Sequence, residues 1–265
     1  MKGWHFESGD ASNSSLPSRI FFRDHCVPGG VARLKLLGVF LLCPTKGPTV
    51  CQMGGKPEVT VFFEPETHTV CSVVKDPSSR KVAVVDSVMG FDFSSGSPST
   101  EHADSVIDFI QKNSLEVQWI LETHAHADHL SAAPYIQEKL GGQIAIGEHI
   151  RHVQDVFAGV FNLGPDFQKD GSQFDKLFAD GETFQIGELN ASVMYTPGHT
   201  PACVCYLVGD ALFTGDTLFM PDYGTARCDF PGGSSTKLYE SIQKLVGGLE
   251  HFLFFHILGI YNHPN

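Results

Sequence analysis

The sequence predicts an α+β fold, and three observations carry that prediction. Short apolar runs with the period-two alternation of β-strands occupy residues 58–86 and 182–214. Helical spacing of apolar residues occurs between strands in the middle of the chain, and once more at residues 234–246. Turns rich in Pro, Gly and Asp separate the runs. This order favours mixed sheets with helices packed on their outer faces.

The first three strands are predicted between residues 58 and 86. Val59, Val61 and Phe63 alternate along the first strand, and Glu-Pro and Asp-Pro turns separate it from two further apolar runs. Asp86 ends the third run. A carboxylate in this position can support metal ligands or can cap a turn, and the sequence leaves both interpretations open.

The middle of the chain predicts a strand–helix–strand unit. Thr100 can cap a helix whose apolar residues follow at i, i+3, i+4 and i+7, and strand 117–121 comes next. The remaining elements are predicted in this order: a loop at 90–99, helix 131–140, strand 143–146, helix 149–157, a loop at 159–175, strands 182–186, 189–195, 202–208 and 211–214, and helix 234–246.

The densest chemical signal lies directly after strand 117–121. The segment 123–129 contains His124, His126, Asp128 and His129. Imidazole and carboxylate groups together bind borderline metals such as zinc and iron. A solvated polar turn is the alternative, but turn chemistry does not require three His residues in so short a segment. The segment therefore predicts part of a metal site whose other ligands come from elsewhere in the chain.

Two further strand ends carry side chains that bind metals. His199 lies in the turn Thr-Pro-Gly-His-Thr after strand 189–195, and Asp216 lies in Thr-Gly-Asp-Thr after strand 211–214. Either turn alone is a weak signal, because Pro-Gly and Gly-Asp turns are common. Together with the His-rich segment, the two turns strengthen the prediction of a metal site.

The composition disfavours several classes of function. The 265 residues carry 18 Lys and Arg against 30 Asp and Glu, a formal charge of -12, which argues against a nucleic-acid partner, a nuclease and an anionic membrane surface. No apolar run reaches the ~20 residues of a membrane span. The 7 Cys show no zinc-ribbon or thioredoxin spacing. They indicate a reducing compartment rather than a disulfide scaffold.

The first 56 residues show no sustained period, and we expect this N-terminal segment, residues 1–56, to be irregular. Its Ser, Lys and Arg content is similar to that of a mitochondrial transit peptide, whereas Glu7, Asp10 and Asp24 are unusual in one. We therefore expect the chain in the cytoplasm or in the mitochondrion.

The motifs together resemble the metallo-β-lactamase superfamily. His-x-His-x-Asp-His, Pro-Gly-His-Thr and Thr-Gly-Asp follow one another, and the resemblance covers residues 57–246. It implies a four-layer αββα sandwich with the site at one edge of the sheets. Residues 122–131 and the Gly-x-x-Arg-x-Asp-Phe segment at 224–230 are similar to persulfide dioxygenases and to related bacterial β-lactamase-like hydrolases.

The resemblance also implies a ligand set. One Fe²⁺ per chain would be held by His124, His199 and Asp216, a two-His, one-carboxylate face, with Zn²⁺ as the alternative metal. Arg227 would anchor the substrate, since its guanidinium suits a carboxylate. An ion pair between Arg227 and Asp229 is the alternative, and both roles can hold at once.

The remaining residues of the His-rich segment have two possible roles in the family. His126, Asp128 and His129 would orient ligands and water by hydrogen bonds in a one-metal site. In the dinuclear hydrolases of the superfamily, the residues that correspond to Asp128 and His129 bind a second metal, and the one that corresponds to Asp216 bridges the two metals.

The family's last block, a strand and a loop with another His, is not recognisable in the apolar tail at residues 247–265. His251, His256 and His263 are available to replace that His, but their spacing does not require it. We expect a sandwich that is incomplete at its C-terminus, as in a truncated isoform. The missing ligand favours one metal, or no activity.

The sequence is compatible with three functions. The first is a sulfur dioxygenase that oxidises glutathione persulfide to sulfite with O₂. The second is a thioester hydrolase of the glyoxalase II type, in which a metal-bound water attacks the carbonyl. The third is an inactive truncated chain that acts as a binding protein. A homodimer is compatible with each of them.

Overall fold

The computed structural model describes residues 55–92, 94–220, 223–248 and 253–255. The predicted N-terminal segment and apolar tail lie largely outside these residues, as do His251, His256 and His263. The domain bounds 1–56, 57–246 and 247–265 therefore stay predictions.

The described residues form strands, four α-helices and one 3₁₀ turn. In chain order they are β1 (Glu58–Glu64), β2 (Thr69–Lys75), β3 (Lys81–Val85), β4 (Val88–Asp92), β5 (Ser97–Ser99), α1 (Glu101–Lys112), β6 (Glu116–Leu121), β7 (Leu130–Ser131), α2 (Ala133–Leu140), β8 (Gln143–Gly147), α3 (Ile150–Val160), β9 (Lys176–Phe178), β10 (Thr183–Ile186), β11 (Leu189–Tyr195), β12 (Val204–Val208), β13 (Ala211–Phe213), the 3₁₀ turn (Gly215–Thr217), α4 (Ser235–Gly248) and β14 (Leu253–Phe255).

Two large sheets dominate the fold. The first has the order β1-β2-β3-β6-β8-β9, antiparallel from β1 to β3 and parallel from β3 onward. The second has the order β10-β11-β12-β13-β14, and its last pair is parallel. Parallel neighbours need crossover connections, which α1, α2 and α3 provide in the first sheet. A small third sheet has the order β5-β4-β7.

The two large sheets pack face to face between layers of helices. Along β3, Ala83 and Val85 face the second sheet, whereas Val82 and Val84 face α1 and α2. Burying a Val side chain in this way contributes roughly 1.5–3 kcal/mol. On the far side, Leu245 of α4 packs on the outer face of the second sheet. The structure is thus the predicted α+β fold, with its layers in the order αββα. None of the described helices is long and apolar enough to cross a membrane.

The predicted helices and the main predicted strands are present, but the prediction of a loop at 90–99 is wrong. β4 and β5 form a hairpin there. Asp92 closes it by accepting hydrogen bonds from the N–H of Ser94 at 2.9 Å and from the hydroxyl of Ser95 at 2.6 Å. The strand Ser97–Ser99 contains no alternating apolar residues, so hydrophobic periodicity could not reveal it.

Three short strands, β7, β9 and β14, were also not predicted from the sequence. They have two or three residues each, too few to show a period. β14 pairs in parallel with β13, with Leu253 opposite Ala211. Thr100 occupies the predicted N-cap position of α1, but its hydroxyl donates to Asp104 at 2.7 Å and makes no cap to the backbone.

Candidate metal centre

Three strand ends meet at one edge of the two large sheets. β6 leads into residues 123–129, β11 leads into the Pro-Gly turn with His199, and β13 leads into the 3₁₀ turn with Asp216. The N–H of Val204 in β12 donates to the carbonyl of Thr123 at 2.9 Å. This bond fastens the His-rich segment, which belongs to the first sheet, to the second sheet.

The structure brings the three predicted ligands together. Oδ2 of Asp216 lies 3.3 Å from Nε2 of His199 and 3.8 Å from Nε2 of His124. One candidate ligand atom from each residue lies within 4.8 Å of the other two. The two imidazoles meet edge to face, with 5.1 Å between their centroids. His124 and His199 are buried, whereas the Asp216 side chain keeps 22% of its surface exposed.

The tautomer of His199 follows from its outer hydrogen bond. Nδ1 lies 2.7 Å from the main-chain carbonyl oxygen of Arg227. Because a carbonyl oxygen can only accept, Nδ1 must carry the proton. In the neutral ring that metal binding requires, Nε2 then keeps the lone pair, and this is the nitrogen that faces Asp216.

The tautomer of His124 is fixed in the same way through Thr123. The Thr123 hydroxyl lies 3.1 Å and 3.0 Å from the two carboxylate oxygens of Asp86, so it donates to that carboxylate. Its oxygen can then accept the proton on Nδ1 of His124, 3.0 Å away. Asp86 also accepts the N–H of Thr123 at 2.8 Å. Asp86 thus holds the turn at Thr123 and, through the Thr123 hydroxyl, orients the candidate ligand His124.

The electrostatics of these three residues suit a divalent cation. Burial lowers the pKa of His124 well below its usual range, and the neighbouring imidazoles of His126 and His199 lower it further. His124 therefore stays neutral, which metal binding requires. Burial raises the pKa of Asp216, while the His199 ring opposes that rise. Two imidazoles and one carboxylate whose candidate ligand atoms converge form a donor set that fits Fe²⁺ or Zn²⁺.

His126, Asp128 and His129 form a second group, again with ligand atoms within 4.8 Å of one another. Nε2 of His126 lies 3.1 Å from a carboxylate oxygen of Asp86 and 3.1 Å from one of Glu122. Burial lowers the pKa of His126, but these two hydrogen-bonded carboxylates outweigh it and raise the pKa well above the usual range. One edge of this imidazole is thus already engaged.

His129 shows a different feature, an unpaired nitrogen. Its Nδ1 lies 3.2 Å from Asp128 and 3.4 Å from the hydroxyl of Thr69. Its Nε2 is buried and has no hydrogen-bond partner among the described residues. Buried polar atoms are rarely left unpaired, so this nitrogen is suited to a ligand. The residues therefore also fit a second metal.

Two glycines allow the close approach of the segments that carry the candidate ligands. Gly215 has φ +51, and a Cβ there would collide with the Thr123 hydroxyl that orients His124. Gly198 has φ +149, and a Cβ there would collide with the backbone of Leu238 in α4. Both glycines are needed for conformation and for space.

Arg227 lies beside the centre and pairs with Asp229. The guanidinium donates to both carboxylate oxygens, at 2.6 Å and 2.7 Å, and lies over the Phe230 ring at 4.8 Å. The paired side chains are largely exposed. A surface cavity of about 600 Å³ is lined by Arg227, Cys228, Asp229, Gly233, Ser234 and Ser235. Arg227 can therefore pair with Asp229 and also contact a substrate in this cavity.

Several residues that shape the site were missed by sequence reasoning. Glu122, Thr123 and Ser131 act through hydrogen bonds, and Arg227 acts on His199 through its main chain. Thr and Ser are common turn residues, and a carbonyl group carries no sequence signal. In the sequence, only the position of Glu122 directly after an apolar strand could have drawn attention to it.

Comparison with known proteins identifies the class. A profile of the metallo-β-lactamase superfamily matches residues 65–255. The chain therefore belongs to the metallo-β-lactamase superfamily. The matched range includes β14, so the family similarity extends into the stretch where the sequence alone showed none.

Three relatives show how similar the chain is to individual proteins of the superfamily. A probable metallo-hydrolase of Burkholderia pseudomallei is 51% identical over 70% of this chain and 66% of its own length. Glyoxylase B2 of Dictyostelium discoideum is 48% identical over 73% of this chain and 67% of its own length. The mitochondrial persulfide dioxygenase ETHE1 of Bos taurus is 27% identical over 70% of this chain and 61% of its own length. The chain thus spans about two thirds of the length of these relatives.

Solved structures agree on the fold. ETHE1 from Myxococcus xanthus superposes with a TM-score of 0.60 at 23% identity, and the match covers 77% of each chain. At this identity the likeness supports the fold alone.

Proposed function

We propose that the chain is a sulfur dioxygenase that oxidises glutathione persulfide to sulfite with O₂ and uses one Fe²⁺. The observation that carries this proposal is the convergence of His124, His199 and Asp216. Both imidazoles direct Nε2 at one carboxylate, and their Nδ1 protons are held by Thr123 and by the carbonyl of Arg227.

Three ligands on one face suit iron that must also bind substrate and O₂. When bound, Fe²⁺ supplies open coordination positions and redox chemistry for the sulfur and the oxygen. The chain holds both imidazoles with Nδ1 engaged and Nε2 toward Asp216, and it keeps both rings buried. Asp216 contributes the negative charge and is the most exposed of the three.

The substrate class is the second part of the proposal. Arg227 and the cavity beside it lie next to His199, since the Arg227 carbonyl holds that ring. A guanidinium can bind a peptide carboxylate in a bidentate manner. We propose that a glutathione carboxylate competes with Asp229 for Arg227. The 27%-identical relative that is named a persulfide dioxygenase supports this substrate class, and its mitochondrial location is one of the two compartments that we propose, with the cytoplasm as the other.

A second candidate is a thioester hydrolase of the glyoxalase II type. Two observations favour it: the 48%-identical relative is named Glyoxylase B2, and the second group offers His129 Nε2 as an unpaired ligand atom. A two-zinc centre would lower the pKa of a bound water and so activate it. In the second group, Nε2 of His126 already contacts two carboxylates and the Asp128 side chain is exposed. The first group, His124, His199 and Asp216, is therefore the better ordered one.

One experiment distinguishes the dioxygenase, the hydrolase and the inactive binding protein. The purified full chain is analysed for bound iron and zinc, then assayed for O₂ uptake with glutathione persulfide and for cleavage of a glutathione thioester. We expect about one iron per chain and O₂ uptake that His124→Ala abolishes. Thioester cleavage with two zinc ions and no O₂ uptake would replace the dioxygenase by the hydrolase. A folded chain that binds no metal would instead support the binding protein.

A further inference from the structure

We propose that Glu122 is a positioning residue for the metal centre, which acts through His126 and is itself held by Ser131. The inference rests on the proposed metal-dependent function. Glu122 is buried, with 3% of its surface exposed. Both of its carboxylate oxygens are used: Oε2 lies 3.1 Å from Nε2 of His126, and Oε1 accepts the Ser131 hydroxyl at 2.6 Å.

The charge distribution around Glu122 is unusual for a purely structural carboxylate. Asp86 lies at the same 3.1 Å from the same nitrogen of His126, so two buried carboxylates share one imidazole edge. Among the described residues, no Lys or Arg pairs with either carboxylate. Two buried carboxylates are unfavourable unless positive charge lies nearby, and the His126 imidazole between them can carry at most one positive charge. A divalent cation at the adjoining candidate ligands would offset the remaining negative charge.

The two carboxylates also fix the orientation of the His126 ring. Both carboxylates contact Nε2, so they set the rotation of the imidazole. Only Nδ1 is then left for another partner. The ring packs between two neighbours, with centroid distances of 4.1 Å to His124 and 4.2 Å to His129. A rotation of His126 would therefore displace a residue in each candidate ligand group.

Ser131 connects Glu122 to a rigid element. Its hydroxyl donates to Glu122, and its oxygen accepts the N–H of Ala133, the first residue of α2, at 3.0 Å. A helix start offers free N–H groups, so this contact uses an available donor. Hydrogen bonds thus run from α2 through Ser131 and Glu122 to His126. Outer partners of this kind commonly change metal affinity when they are removed.

The test measures metal affinity, not turnover. The full chain and the variants Glu122→Gln, Ser131→Ala and Glu138→Gln are loaded with zinc or iron, and each dissociation constant is obtained by chelator competition. Gln keeps the size of Glu122 but removes its charge, so we expect the dissociation constant to rise about 10–100-fold. Ser131→Ala should raise it by less, about 3–10-fold. Glu138→Gln is the matched control on the exposed face of α2 and should change nothing.

A second readout distinguishes positioning from folding. Cobalt-loaded protein is compared by visible absorption, and metal-free protein by thermal unfolding. Positioning predicts a shifted cobalt band in Glu122→Gln and Ser131→Ala even when the metal site is saturated. Unchanged affinity and an unchanged band in both variants would overturn the inference, as would an unmodified chain that binds none of these metals. A chain that binds metal but turns over neither persulfide nor thioester would refute the proposed function and leave the Glu122 inference intact.

Discussion

The two candidate ligand groups differ in how the chain builds them. His124, His199 and Asp216 come from three separate strand ends, and each imidazole has its outer nitrogen satisfied by a non-ligand partner. The second group comes from one continuous segment, residues 123–129, and its members pair with one another or with nearby carboxylates. The outer hydrogen bonds of the first group are thus already in place, whereas the second group would have to exchange hydrogen bonds to bind a metal.

This difference has a physical cause. A ligand at a strand end inherits the rigidity of the sheet, and a second hydrogen bond then fixes its ring. Asp128 lies in the turn of the His-rich segment, with 57% of its side-chain surface exposed. Its geometry depends on the local turn, which the sheets constrain less. Four sets of substitutions test this difference.

Removing a ligand from each group should give the largest contrast. We expect His199→Ala to weaken metal binding at least about 100-fold, because it removes one of three converging lone pairs. His129→Ala should weaken it about 10-fold or less if the centre holds one metal. Metal content and chelator competition measure both. Equal losses of metal affinity in the two variants, with two metals bound to the unmodified chain, would contradict the proposal of one metal per chain.

Substitution of Gly215 should disturb the first group through the backbone. Gly215→Ala places a Cβ against the Thr123 hydroxyl at a positive φ, so we expect a loss of about 2–3 kcal/mol in the free energy of unfolding and weaker metal binding. Gly181→Ala is the matched control, since Gly181 has φ +75 but open space around its Cβ position. The control should lose about 1 kcal/mol and keep its metal affinity. Denaturant unfolding and metal titration decide the comparison.

The metal-free protein should show opposite pH effects from two neighbouring His residues. The folded pKa of His124 is lowered, so its unfolded form takes up a proton as pH falls below about 6.5 and stability drops. His124→Gln should reduce that acid loss. The folded pKa of His126 is raised, so its contribution is present below about 6.5 and is lost as pH rises through the folded pKa.

His126→Gln should therefore cost more stability near pH 5.5 than near pH 8.5. Urea midpoints of both variants across this range provide the measurement. Parallel pH profiles for the two variants would show that their environments do not differ in this way.

The smallest effect is expected at Arg227. Its ion pair with Asp229 is exposed, so Arg227→Lys should leave the melting temperature unchanged. Loss of the guanidinium fork should raise KM for the glutathione substrate about 3–10-fold with little change in kcat. Arg80→Lys, at an exposed ion pair with Glu116, is the control and should leave both constants unchanged. An unchanged KM in Arg227→Lys would place substrate recognition elsewhere.

The sequence predicted the α+β class because apolar alternation in β1, the continuous apolar run of β3 and helical spacing in α1 are local properties of the chain. It also placed the side chains of the site at strand ends. It could not predict β5, β9 or β14, since strands of three residues show no period and depend on the neighbour that they pair with.

The side chains of the candidate site are evident in the sequence: three His and one Asp in one segment, then His199 and Asp216 after later strands. Which of their atoms face one another becomes clear only in the folded chain. Tautomers depend on outer partners such as Thr123 and the carbonyl of Arg227, which lies 28 positions from His199 along the chain. The Arg227 carbonyl reaches His199, and Asp86 reaches Thr123 from 37 positions away, only in the folded chain, and such hydrogen bonds leave no periodic trace in the sequence.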